Sequence, residues 1–241
     1  MITYVLLVLG GLFLTLFLLF RDKNGGFLPT ALKTVTSMLF VATAVSGVIN
    51  NYIVTGTLGV TKLTFYGLVL LGLTCGVIVD LTLDLKIVYK NNPRHNDLFT
   101  FFGMAAFGIG HVLYIVAVAI YFGFSAWSIL IAAALTAVIF TVSLFLLKMQ
   151  FGKFLIPSIV YALLLTLFLA GTVVAGIFTA FTLPVILLSV GAGLFLLSDL
   201  VLSMIYFEGN EARVLIVVNH VLYYAAQFLI ALSLYYIALP L

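Results

Sequence analysis

Predominantly apolar runs long enough to cross a bilayer recur along this chain, and they leave it few ways to fold. A hydrocarbon core of about 30 Å takes roughly 20 helical residues to span. Residues 2–20, 30–50, 63–88, 98–122, 127–147, 154–178, 183–207 and 214–239 each supply such a run. The alternating ten-residue patterns of a membrane barrel are not found. The sequence therefore predicts an all-α, polytopic transmembrane bundle of about eight helices, with residues 1–241 as a single transmembrane domain. Composition agrees, because 65% of the residues are hydrophobic and 7% charged, with a mean hydropathy of +1.37, far from the balance of soluble domains.

Met1 leads into "ITYVLLVLGG" with no basic residue before it and no small-residue cleavage pattern after it, so the first span is expected to remain in the protein. One cysteine, Cys75, rules out an intramolecular disulfide. The net charge of +3 is too small and too confined to loops to suggest nucleic acid. Its distribution reports orientation instead. Arg21, Lys23, Lys33, Lys86, Lys90, Arg94, Lys148, Lys153 and Arg213 fall in or beside the loops after spans one, three, five and seven, whereas the other side holds Lys62 alone. The positive-inside rule then places those loops in the cytoplasm and both termini outside, and a bacterial cytoplasmic membrane is the expected location.

The string His-Val-Leu-Tyr occurs twice, at 111–114 and 220–223, each time inside an apolar run. Each copy follows a span that carries an aspartate, "VIVDLTLDL" before the first and "LLSDLVLSM" before the second. An even offset of four spans keeps both halves in one orientation, as a parallel 4+4 repeat requires. Chance recurrence of common letters is the other reading. At about 1.5 Å per residue, Asp80 lies roughly 7 Å and Asp199 roughly 6 Å to the cytoplasmic side of mid-span. His111 falls near the middle of its span, with Tyr223 about 5 Å and His220 about 10 Å toward the cytoplasm. Polar residues thus gather in one half of the bilayer, where a carboxylate costs about 2.5–3.5 kcal/mol to insert.

Asp80 and Asp199 are therefore candidates for a site, and hydrogen-bonding across a helix interface is their structural alternative. Asp84, one turn beyond Asp80, reads as a solvated interfacial charge near Lys86. His220, Tyr223, Tyr224 and Gln227 form one polar stripe, which either lines a cavity or joins helices. His111 and Tyr114, with Gly103, Gly108 and Gly110 permitting close approach, suggest a cavity edge. Two histidines and two aspartates are donors enough for a divalent metal, but no His-x-x-x-His spacing supports one. No metal or cofactor is expected.

Three stretches resemble the lysoplasmalogenase family, the YhhN-like membrane proteins. "FFGMAAFGIGHVLYIVA" is similar to its F-x-x-G-M-x-x-F-x-x-x-H-x-x-Y segment, "GAGLFLLSDLVLSM" to its G-A-x-L-F-x-x-S-D-x-x-L segment, and "YYAAQFLIALS" to its final helix. In two places the chain departs from that pattern. Asp80 follows Val79 where the family has Gly-Asp, and the loop before His111 is about ten residues longer, so Asp84 remains an alternative equivalent. The resemblance implies hydrolysis of the vinyl ether of lysoplasmalogens, with a lysophospholipid and the bilayer as partners. That chemistry needs an acid and a base, and of two close carboxyls one can stay protonated while the other activates water. Asp80 and Asp199 take those roles. His111, Tyr114, Tyr223 and Gln227 would position water or the glycerol. Lys33 resembles a family lysine, and Lys33, Lys86 and Arg213 are either phosphate partners or orientation-setting loop charges.

A proton-coupled transporter is the alternative class, since parallel repeats and intramembrane carboxylates suit a carrier equally. A catalytically inactive lipid-binding relative is a third. The headgroup and the oligomeric state are not legible. The orientation makes a direct prediction: cysteines placed within residues 89–97 or 208–213 resist a membrane-impermeant thiol reagent added to intact cells. Prompt labelling would invert the topology.

Overall fold

The computed structural model describes residues 1–21, 26–88, 93–210 and 212–237. Lys23 and Lys90, two of the orientation charges, lie outside the described residues, as does the side chain of Lys86. Eight helices follow in order: α1 (Ile2–Phe20), α2 (Phe27–Thr55), α3 (Val60–Val88), α4 (Pro93–Phe122), α5 (Ala126–Thr141), α6 (Leu155–Phe178), α7 (Leu183–Phe207) and α8 (Arg213–Tyr236). All eight are long and apolar enough to cross a membrane, α5 by continuing through a π-helical turn at Val142–Leu146. In lipid, backbone N–H and C=O groups have no water to bond, so each run closes its own hydrogen bonds as a helix. Punctuation comes from familiar chemistry. Gly56 ends α2 in the left-handed region at φ 70°, Ser125 caps α5 by accepting from the Trp127 amide, and Pro184 stands in the first turn of α7.

Short connections make successive helices antiparallel, and contacts confirm which ends meet. The Tyr4 hydroxyl in α1 lies 2.7 Å from that of Tyr236 in α8, while Arg21, after the other end of α1, reaches His220 near the start of α8. Arg21, Lys33, Arg94, Lys148, Lys153 and Arg213 gather at this second end, called the basic end below; Lys62 begins α3 at the other.

The main pairings are α1 with α2, α2 with α3, α3 with α4, and α2 with α8. The remaining ones are α5 with α6, α6 with α7, α7 with α8, and α4 with α6. Advancing each of the first four pairings by four helices, cyclically, yields the second four. That is the pairing a parallel 4+4 repeat produces.

Outer faces such as Trp127 and Phe145 are apolar and exposed, as lipid requires. Where helices touch, small residues let backbones approach. A Cβ on Gly47 of α2 would lie 2.8 Å from the Tyr235 amide nitrogen of α8, and one on Gly191 of α7 would lie 3.1 Å from the Ala226 carbonyl oxygen. Gly110, read from the sequence as a close-approach position, faces the Gly72 backbone of α3, whose oxygen would lie 3.3 Å from an added Cβ. Gly11, in contrast, has open space around it. Gly47→Ala is therefore expected to lower the thermal unfolding temperature in detergent, by overpacking worth about 1–3 kcal/mol. Gly11→Ala should be neutral or stabilising, through a helix propensity gain of up to about 1 kcal/mol.

Candidate active site

Lys33 stands six residues inside α2, drawn into an apolar bundle with its side chain buried. Its ammonium needs counter-charges there, and α3 supplies two on one face, a turn apart. Lys33 Nζ lies 3.0 Å from Asp84 Oδ1 and 3.4 Å from Asp80 Oδ1, and it donates to the Asp80 carbonyl oxygen at 3.1 Å. Asp80 Oδ2 accepts from Ser37 at 2.7 Å and from Tyr223 at 2.9 Å. The Tyr224 hydroxyl lies 3.0 Å from Ser37 Oγ and donates to the Lys33 carbonyl oxygen at 3.2 Å. Further inside, Tyr114 donates to Gln227 Oε1 and Gln227 Nε2 donates to the Tyr223 oxygen, both at 3.2 Å. Every hydrogen along that chain points toward Asp80. Such surroundings offset part of the cost of burying a carboxylate.

Two sequence expectations are corrected here. Asp84 is 6% exposed and faces Lys33, so it is not a solvated charge at the membrane surface. Lys33, 4% exposed, lies inside the bundle as the counter-ion of two carboxylates and not in a loop. The reason is the early start of α2 at Phe27, which carries Lys33 inward to the depth of Asp80.

Asp199 sits in different surroundings. A cavity opens between α4, α6, α7 and the π-helical turn, walled by Met104, Phe107, Leu165 and Leu196 among others. Asp199 lines it and accepts a hydrogen bond from Tyr161 of α6, also on the wall. The preceding residue, Ser198, is held from α8 by Asn219, which donates to its carbonyl oxygen at 2.8 Å and lies 3.0 Å from its Oγ. That clamp fixes the rotation of α7, and Asp199, about 100° further round, meets α6. Ser158 also lines the cavity, with a buried hydroxyl that has no partner among the described residues. Unwinding of α5 into the π turn brings Ser143 to the same wall. Among the described residues, the ion pairs are those of Lys33 and Lys153, so no cation pairs with Asp199.

The two aspartates thus share the basic end but occupy separate networks. Aromatic rings stand between them: Phe107 lies 5.7 Å from the Tyr223 ring, 5.4 Å from Phe195 and 6.5 Å from Tyr161. The four-helix offset relates the networks, since Ser37 of α2 meets Asp80 of α3 as Tyr161 of α6 meets Asp199 of α7.

His111 is one turn behind Phe107 and off the cavity wall. Its Nδ1–H donates to the Phe107 carbonyl oxygen at 2.9 Å, which leaves Nε2 as an acceptor without a partner among the described residues, ringed by Phe195, Tyr161 and Phe168. His220 turns the other way. Its Nδ1–H donates to the Ile216 carbonyl oxygen at 2.7 Å and its Nε2 accepts from Arg21 at 2.9 Å. The described His, Cys, Asp and Glu residues include no group of three placed to hold a metal.

Sequence reasoning missed Ser37, Tyr161 and Arg21. Ser37 carried a signal in its spacing, one turn from Lys33, but Tyr161 carried none.

A model of the YhhN family matches residues 28–234. The chain belongs to the YhhN family, the family of lysoplasmalogenase-like proteins. Comparison with curated proteins and with solved structures gives no match. The YhhN segment takes in the whole charge cluster and the cavity, from Lys33 to Gln227, and leaves Arg21 outside. In this YhhN member, Lys33→Met strands two buried carboxylates and is expected to destabilise the protein by about 3–5 kcal/mol, read as a lowered unfolding temperature in detergent. Adding Asp84→Asn should recover part of that loss.

Proposed function

We propose that this YhhN family protein is a membrane-embedded hydrolase that cleaves the vinyl ether of a lysoplasmalogen to a fatty aldehyde and a glycerophospho-alcohol. The observation that carries the reading is Asp199: a carboxyl with one hydroxyl donor on the wall of an otherwise largely apolar cavity at membrane depth. A carboxyl there, facing no cation, is least costly as the neutral acid, and the neutral acid is what the first step consumes.

In that step Asp199 gives its proton to the alkenyl carbon remote from the ether oxygen. The double-bond electrons form the new C–H bond, and the positive charge is shared between the other alkenyl carbon and the oxygen. Water adds to that carbon, and the Asp199 carboxylate takes the proton released, restoring the acid. The hemiacetal then collapses, its hydroxyl proton passing to the glycerol oxygen as the C–O bond breaks. Tyr161 orients the carboxyl by donating to it. Asp80 stays outside the proton transfers, and its cluster with Lys33 and Asp84 holds α2, α3 and α8 in register beside the cavity. His111, Tyr114, Tyr223 and Gln227 act through position, holding Asp80 and the rings that face the cavity. With the basic end cytoplasmic, the lipid enters from the inner leaflet.

The helix pairing of a parallel 4+4 repeat also suits a carrier, so the test separates the two. Purified protein should release aldehyde from a defined lysoplasmalogen and none from its saturated ether analogue. Asp199→Asn should lose activity by about 10²-fold or more while remaining folded, and Asp80→Asn should lose less. Equal loss in both variants would bring Asp80 into the proton transfers. Solute flux into sealed liposomes without aldehyde release would favour the carrier.

A further inference from the structure

Arg21 follows the last turn of α1 at the basic end and is partly exposed. Its guanidinium lies 5.4 Å from the centre of the Phe17 ring and donates to His220 Nε2 at 2.9 Å. His220 can only accept at that atom, because its other ring nitrogen donates to the Ile216 carbonyl oxygen at 2.7 Å. The same histidine ring packs on Phe17 with centroids 5.1 Å apart. One N–H of Arg21 is thus anchored to a neutral group, and no ion pair among the described residues cancels the charge of its planar fork.

The other basic residues near the site are differently disposed. Lys33 is enclosed by Asp80 and Asp84, and Lys153 pairs with Asp97. Arg213 is exposed at the start of α8. Arg21 takes part in no ion pair among the described residues. Its position relative to the cavity follows from α8: His220, which holds Arg21, is next to Asn219, and Asn219 donates to the carbonyl oxygen of Ser198, the neighbour of Asp199 on the cavity wall, at 2.8 Å.

We propose that Arg21, held by His220, binds the phosphodiester of a lysophospholipid headgroup while the alkenyl chain occupies the cavity at Asp199. The assignment rests on the hydrolysis reading above. A guanidinium presents parallel N–H groups that match two phosphate oxygens, which an ammonium cannot do. The histidine makes the arrangement specific: a neutral acceptor orients the fork without cancelling its charge, where a carboxylate would cancel it. Arg21 is thus a headgroup-binding residue and His220 a positioning residue behind it.

The test compares kcat/KM for 1-alkenyl-glycerophosphoethanolamine with that for 1-alkenylglycerol, which has the same vinyl ether and no phosphate. In the unaltered protein the phosphorylated substrate should be favoured. Arg21→Gln should reduce that preference about tenfold or more, mainly through KM, as expected for a lost hydrogen bond to a charged group. Arg21→Lys, which keeps charge and stem but not the fork, should reduce it by a smaller factor and decides the matter if the Gln variant does not fold. His220→Phe should shift the preference in the same direction. Preference left unchanged by the Arg21 variants would overturn the assignment while hydrolysis itself stood; no aldehyde from either substrate would remove both. Millimolar inorganic phosphate separates the sources. Persistence of the preference in its presence supports a lipid-borne phosphate, and its abolition would make the site one for free phosphate and overturn the headgroup assignment.

Discussion

An ammonium group inside an apolar bundle has to meet its counter-charges where it stands, and most of the architecture at the basic end follows from that requirement. Lys33 is answered by Asp80 and Asp84 on the facing helix, and the second oxygen of Asp80 is answered by hydroxyls from α2 and α8. Three helices are thereby tied at one depth. A slip of one turn would move Lys33 by about 5.4 Å and leave charges stranded, so the cluster fixes register more than it adds stability. Apolar packing has no such discrimination, because one lipid-like face slides over another at little cost. The close approach of α2 to α8 at Gly47 depends on that register being held.

Given this anchor, the two aspartates that look alike in sequence come to differ in kind. Asp80 lies among an ammonium and several donated hydrogens. Asp199 lies on a largely apolar wall with one tyrosine hydroxyl, and in the proposed reaction it gives and then recovers the proton. The cyclic pairing of the helices gives both the same setting: an aspartate on the third helix of each four, met by a donor from the second. Lys33 closes the first cluster, and the second borders a cavity.

Much of this was legible beforehand. The spans were readable because lipid forces a long apolar run to become a helix, and α1, α7 and the ends of α3, α4 and α6 fall at the residues where the hydropathy changes. That Asp80 and Asp199 lie toward the same end of the bundle followed from counting residues. What could not be read was partnership. Asp84 looked solvated because depth within a helix does not reveal that a lysine faces it from the next one, and Lys33 looked like a loop charge because the start of α2 was placed three residues too late. Tyr161 was invisible, one tyrosine among apolar neighbours, since only the packing of α6 on α7 aims it at Asp199. Arg21 was counted for orientation alone, because its partner His220 is 199 positions away in the chain.

The central claim is that a carboxylic acid in the cavity protonates the alkenyl carbon of a vinyl ether. Hydrolysis of a defined lysoplasmalogen by purified protein in deuterium oxide tests this most directly, with the aldehyde analysed at the carbon next to its carbonyl. Proton delivery from a fixed donor predicts one deuterium at that carbon, on a single face, together with a slowed rate. An aldehyde formed without deuterium there, or with deuterium on both faces equally, would contradict the account.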